Sequence, residues 1–126
     1  LPLIFFDDAE MPIYTIYHNP RCSKSRQTLE LLKERGVEPE VVEYLKTPLS
    51  AHALQTLSQK LCISVVDMMR TKEREFKELD LGNTGVTDDQ LLQAMSQNPI
   101  LLERPIVVCG DKGVIGRPPE NVLELI

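Results

Sequence analysis

One thiol stands where chemistry would be expected. In the stretch YHNPRCSKSRQTLELL, which begins at Tyr17, Cys22 lies between Arg21 and the Lys24/Arg26 pair, at the point where an extended-looking segment turns helical. Backbone N–H groups at the start of a helix have no partner within it, and the helix dipole is positive there, so an anion is favoured. Lys24 and Arg26 add positive charge, and both influences stabilise a thiolate, the form of cysteine that acts as a nucleophile near neutral pH. Cys62 and Cys109 sit instead beside Leu61 and Ile63 and beside Val107 and Val108, neighbours that suit a small packing residue. Because the same helix start that holds a thiolate also holds oxyanions, the local pattern points to an anionic substrate attacked by sulfur.

Spacing removes the obvious rivals. The cysteine-phosphatase loop needs C-x5-R so that its backbone can wrap phosphate, and Arg26 is only four positions beyond Cys22. A self-resolving dithiol needs C-x-x-C, but the fourth position here is Ser25, so a mixed disulfide on Cys22 must be resolved by an outside thiol. The three cysteines, at 22, 62 and 109, form no disulfide framework, which fits a reducing compartment and places the protein in the cytoplasm. His18 and Cys22 could share one ion, yet no second close pair completes a ligand set, so no metal is expected. A net charge of -5 argues against nucleic acid as a partner and makes any cationic site local. No run approaches the roughly 20 apolar residues that a membrane span requires. His52, on a polar helix turn, reads as solvated.

The elements that must position Cys22 follow from periodicity. Residues 12–18 are β-branched and aromatic and read as a buried strand, broken by Asn19-Pro20. Residues 25–35 are helical, with Thr28, Leu29 and Leu32 on one side and Gly36 as a C-terminal cap; 38–46 reads as a second strand. Strand, helix, strand over so short a span implies a parallel βαβ unit with a right-handed crossover. Ser50 can cap a helix carrying Leu54, Leu57 and Leu61, Ser64 a second through Met69, and KEREFKEL continues as a charged amphipathic stretch. Thr87 and Gln90 form a capping box for a helix that Asn98-Pro99 ends. Residues 105–117 read as a hairpin turning at Asp111-Lys112-Gly113, and Pro118-Pro119-Glu120 opens a last helix. The order βαβ, helical stretch, ββα describes an α/β domain with a mixed sheet between helices. At 126 residues, 42% of them hydrophobic, the chain is long enough for one core and one domain. Residues 1–10, LPLIFFDDAE, make a poor signal peptide and read as an upstream extension or cloning remnant, with 11–126 as the single functional domain.

Several separated motifs together resemble the glutaredoxin-dependent arsenate reductase family. They are HNPRCSKSRQTLELLKERGVEPEVVEYLKTP, MMRTKE, NPILLERPIVV and IGRPPENVLELI, and the match runs from Met11 to Ile126, closest to the short branch, whose longer cousins continue past the last helix. The resemblance implies a thioredoxin-like fold, a four-stranded mixed sheet flanked by helices, with an all-helical insert at about 50–98 and a cis Arg104-Pro105 bond. It implies Cys22 as the nucleophile that forms a thiol–arsenic adduct and Arg70, Arg104 and Arg117 as the oxyanion-binding set. It further implies Ser25 as a hydroxyl that helps hold the thiolate and His18 as a residue influencing the loop around it. Each arginine taken singly reads as a solvated surface residue. Their positions nevertheless allow convergence, since Arg70 closes an apolar helical stretch while Arg104 and Arg117 flank the hairpin.

The chemistry implied is reduction of arsenate to arsenite by a monomer with no bound cofactor, glutathione and glutaredoxin supplying the electrons. Arg21, Ser23 and Lys24 depart from the smaller or uncharged residues of long-branch members and are expected to strengthen the preference for thiolate and anion. Two other readings are a thiol-switch oxidoreductase acting on glutathionylated or otherwise oxidised substrates, and a non-catalytic redox-regulated binding protein contacting RNA polymerase. The polymerase-binding relative carries a C-x-x-C switch, and Ser25 argues against it.

Overall fold

The structure, a computed structural model, describes residues 13–126. The reading of 1–10 as an extension, and the first residues of the expected opening strand, lie outside the described residues. Strand β1 (Tyr14–Tyr17) is followed by helix α1 (Ser23–Glu34) and strand β2 (Glu40–Val42), and β1 pairs with β2 in parallel, Ile16 opposite Val41. Strands β3 (Ile106–Cys109) and β4 (Lys112–Ile115) form an antiparallel hairpin, and β3 also pairs antiparallel with β1, giving the mixed order β2-β1-β3-β4. This is a thioredoxin-like sheet.

Side chains alternate across the sheet, and β3 shows what that does to the core. Ile106 and Val108 point into a cluster with Leu54, Leu57, Met68, Leu91 and Met95, whereas Val107 points the other way, onto Ile16, Leu32 and Val122. The first face is covered by the helical segments between β2 and β3. These are α2 (Ala51–Leu61), α3 (Arg74–Glu78) and α4 (Asp88–Gln97), with 3-10 turns at Val65–Met68 and Pro99–Leu101. The second face is covered by α1 and by the C-terminal 3-10 segment Pro119–Leu125.

The local caps form as their side chains dictate. Ser50 Oγ accepts from the Ala53 N–H at 3.1 Å, and Thr87 and Gln90 make the reciprocal capping box at 3.2 and 2.8 Å. Gly36 follows α1 with φ +80, the left-handed conformation that glycine adopts without steric cost. The Arg104-Pro105 bond is cis, and so is Arg117-Pro118.

Five local readings are corrected. Strand β2 covers only 40–42, because Tyr44 leaves the ladder to be fully buried in the insert-side cluster, and the N–H groups of Lys46 and Thr47 turn back onto the Glu43 carbonyl. The Ser64 segment is one 3-10 turn and not a helix reaching Met69. The Ser64 hydroxyl is taken by Asp67 at 2.9 Å instead of capping the backbone, and Met69 is extended and bridges Leu102. The hairpin turns at Gly110-Asp111, where Gly110 has φ +63, so Lys112 and Gly113 belong to β4. The last element is 3-10 and not α-helical, opened by two prolines that lack N–H donors, while Asn121 Nδ2 ties back to the Ile115 carbonyl at 3.1 Å. Cys62 is exposed and not a packing residue: it ends α2 in the left-handed region, φ 56, which carries its side chain out of the apolar stripe formed by Leu54 and Leu57.

Candidate active site

Strand β1 delivers its chain to the end of the sheet where the His18 N–H bonds the Val42 carbonyl at 2.8 Å. The backbone then turns. Asn19 Oδ1 accepts from the Arg21 N–H at 3.0 Å, and the Asn19 carbonyl accepts from the Cys22 N–H at 3.0 Å. Cys22 is the N-cap of α1, with extended φ and ψ, and its side chain makes no cap hydrogen bond, which leaves the sulfur free at the helix start. The half-buried sulfur is pushed up by desolvation. The Ser25 N–H, the Arg104 charge and the Lys24 N–H outweigh that, and the thiol pKa is lowered overall. The stripe Ser25, Thr28, Leu32 is the buried face of α1, which fixes the helix start against the sheet.

The distant arginines arrive by backbone hydrogen bonding. Met69 bridges Leu102; the Arg70 N–H bonds the Leu101 carbonyl at 2.7 Å, and the Glu103 N–H bonds the Met68 carbonyl at 2.9 Å. Segments 68–70 and 101–103 are thus zipped side by side, which makes Arg70 and Arg104 neighbours. Arg117 is placed by the bond from the Gly116 N–H to the Pro105 carbonyl, 2.9 Å. Gly116 permits a close approach. A Cβ there would stand 2.7 Å from Thr28 Oγ1 and 2.9 Å from Pro105 Cγ, closer than packed atoms tolerate. Arg117 Nη1 lies 3.4 Å from the Arg104 carbonyl and 3.8 Å from Cys22 Sγ. Arg70, Arg104 and Arg117 line one pocket of about 350 Å³ together with Thr71, Lys72, Glu73 and Glu103. The Arg117 guanidinium lies against the sulfur, and the Arg104 charge helps lower its pKa.

Ser25 and His18 sit behind the thiol. The Ser25 hydroxyl is 2.7 Å from His18 Nδ1 and accepts from the Asn19 N–H at 3.0 Å. The hydroxyl therefore braces the loop, and it is the Ser25 backbone N–H that faces Cys22, a different contact from the one the resemblance implies. His18 is buried, and desolvation holds its pKa below the usual histidine value against the opposing pull of Glu43, so its ring is neutral at pH 7. Its contact with the loop is the hydrogen bond to the Ser25 hydroxyl.

Two acidic residues of the pocket were not singled out in the sequence. Glu73 Oε2 pairs with Arg70 Nη2 at 2.7 Å and Glu103 Oε1 with Arg104 Nη1 at 3.2 Å, all four side chains being mostly buried. The i, i+3 spacing of Arg70 and Glu73 was a readable signal for the first pair. Among the described residues, no group of three or more His, Cys, Asp or Glu side chains is arranged to hold a metal ion. Nor is any described helix long and apolar enough to cross a membrane.

A thioredoxin-like sheet that presents a helix-capping, acidified thiol to an arginine-lined pocket defines a thiol-chemistry protein of oxyanion-binding type. The chain belongs to the ArsC family, whose pattern matches residues 17–125. It is 49% identical over 112 residues to the arsenate reductase of Haemophilus influenzae, covering 88% of this chain and 97% of that one. It is 57% identical over 112 residues to the Escherichia coli protein YfgD, covering 88% and 94%. The solved arsenate reductase from Vibrio cholerae superposes with a TM-score of 0.90 at 50% identity, covering 91% of this chain and 98% of that one.

Proposed function

We propose that the protein is an arsenate reductase whose nucleophile is Cys22. The observation that carries this is a thiol of lowered pKa at the start of α1, with Arg117 Nη1 3.8 Å from its sulfur and Arg70 and Arg104 lining the adjoining pocket. Arginine offers planar, multiple donors suited to a tetrahedral oxyanion. The Cys22 thiolate attacks arsenic(V), and a protonated arsenate oxygen leaves as water, forming a sulfur–arsenic bond. The sulfur of glutathione then bonds to Cys22 sulfur as the sulfur–arsenic bond breaks. That electron pair stays on arsenic, which departs as arsenite, while the two thiols become one mixed disulfide. A glutaredoxin thiolate attacks the glutathione sulfur and restores the Cys22 thiolate. The outside thiols are required because Ser25 occupies the position where a resolving cysteine would stand.

In this mechanism the arginines stabilise the oxyanion as charge shifts, the Lys24 and Ser25 N–H groups hold the thiolate, and His18 and Ser25 keep the loop in place. The protein acts as a cytoplasmic monomer built on one domain, residues 11–126. The test is a coupled assay with arsenate, glutathione and glutaredoxin, read as NADPH consumption through glutathione reductase. Arsenate-dependent turnover that disappears in Cys22→Ser is expected; a rate equal to that of Cys22→Ser refutes the reading. A thiol-switch oxidoreductase is the second reading, favoured by the glutamates already paired with Arg70 and Arg104. It predicts turnover of a glutathionylated peptide that arsenate does not inhibit.

A further inference from the structure

Among the described residues, two side-chain polar atoms are buried without a hydrogen-bond partner, the Tyr44 hydroxyl and Arg104 Nε. Native proteins leave few such groups, and each calls for an explanation. One belongs to a pocket arginine, and the other to a tyrosine packed in the cluster that holds Met69 and Leu102. Tyr44 is fully buried just past the end of β2, whose Val42 carbonyl holds the His18 N–H, so its turn lies against the loop that presents Cys22. On its other side Tyr44 shares a packed cluster with Met69 and Leu102, the bridging pair that sets Arg70 and Arg104 in position. In open α/β sheets, ligands bind beyond the carboxyl ends of the parallel strands, and Tyr44 and Cys22 follow the carboxyl ends of β2 and β1.

The charges around the hydroxyl are those of the site. Burial pushes the Tyr44 pKa up to about 12 against the Arg104 and Arg70 guanidiniums, with Cys22 adding to the rise. At neutral pH the group is therefore an O–H donor. The Asn19 side chain is also near, but hydrogen-bond geometry leaves the phenol unpaired. A phenylalanine would fill the same core volume; the hydroxyl adds only a donor with nothing to donate to.

We propose that Tyr44 is an oxyanion-binding residue, its O–H and the Nε–H of Arg104 converging on one oxygen of the tetrahedral anion that Cys22 attacks. The inference rests on the oxyanion reading of the pocket. It explains why two donors are kept buried and unpaired: both are already stripped of water, and a side-chain shift that admits the anion oxygen gives each its partner.

Tyr44→Phe is the test, since it keeps the ring and removes the donor. The readout is protection of Cys22 from iodoacetamide by inorganic arsenate, and by inorganic sulfate, which forms no adduct with the thiol. Half-protecting concentrations of both anions are expected to rise about tenfold or more, as for loss of a hydrogen bond to a charged group. KM for arsenate should rise with them, while the melting temperature stays level or climbs because a buried unpaired group is gone. Protection within twofold of wild type overturns the proposal, as does a failure of either anion to protect the wild-type thiol. A rise in the Cys22 thiol pKa with unchanged protection also overturns it, because the phenol would then serve the sulfur. Turnover by the wild-type protein decides the reductase reading separately. If arsenate turns over and protection is unchanged in Tyr44→Phe, only the tyrosine assignment falls. If arsenate does not turn over but protection weakens, the assignment stands and the reductase reading falls.

Discussion

Cys22 and Cys62 occupy opposite ends of two helices. Cys22 caps the N-terminus of α1 and receives N–H groups; Cys62 caps the C-terminus of α2, where the unpaired groups are carbonyls. Cys62 is the more exposed of the two, yet everything that favours an anion surrounds Cys22: free N–H donors, Arg104 and Arg117. Exposure and reactivity are separate properties. A thiol becomes a nucleophile through the dipoles and charges aimed at it, and the fold aims them at one cysteine.

The strongest way to break the contrast is to remove the charge. Arg104→Gln should lower arsenate-dependent turnover on the order of a hundredfold, the scale of losing one donor to a charge-developing transition state, as measured in the coupled assay. It should also raise the Cys22 pKa, which brings the two cysteines closer in behaviour.

Titrating alkylation against pH sharpens the contrast next. Wild-type Cys22 should show an inflection below the ordinary thiol value, and at pH 7 it should react several-fold faster than the more exposed Cys62. The sign follows from linkage. With a folded pKa below the unfolded one, the stability lent by the Cys22 thiolate is present above the unfolded pKa and lost as pH falls through the folded one. Equal labelling of the two thiols, followed by mass spectrometry, would show that the helix end does not matter.

Gly116→Ala tests the backbone that places Arg117. The added methyl meets Thr28 Oγ1 and Pro105, so a loss of about 1–3 kcal/mol in urea unfolding is expected, with a raised KM for arsenate. Thr87→Ala is the control at a helix cap outside the site. Losing the capping box of α4 should cost about 1 kcal/mol while leaving the Cys22 inflection where it was. The smallest effect belongs to His18. Its folded pKa is lowered, so the unfolded chain binds more protons and stability falls as pH drops below the unfolded histidine value, levelling off below the folded one. His18→Gln should flatten that acid-side loss in melting temperature between pH 7.5 and 5.5.

Much of the site was readable in the chain because its core is local. The thiol, the N–H groups that follow it and the missing second cysteine all lie within positions 22–25. Caps at Ser50 and at Thr87 with Gln90 were readable for the same reason. Errors arose where local propensity meets a tertiary demand. Strand β2 shortens because Tyr44 is drawn into the core, and the Ser64 helix reduces to one turn because Met69 must extend to reach Leu102. Glu73, Glu103 and Tyr44 escaped notice because an acidic residue beside an arginine, or a tyrosine after a strand, looks the same whether it ends in solvent or under a catalytic loop.

By itself the amino-acid sequence marked Cys22 as the candidate nucleophile and Ser25 as the place where a resolving cysteine is missing, since the start of a helix and the spacing of cysteines act over a few residues. What the nucleophile faces was decided only by tertiary structure. Arg117 stands 95 positions from Cys22, and Arg70 and Arg104 meet only because two segments pair backbone to backbone across the end of the sheet. Tyr44 holds an unpaired donor there because the core closed around its ring. Neither the convergence of charges nor an orphaned hydroxyl has a local signature; both exist only once the chain has packed.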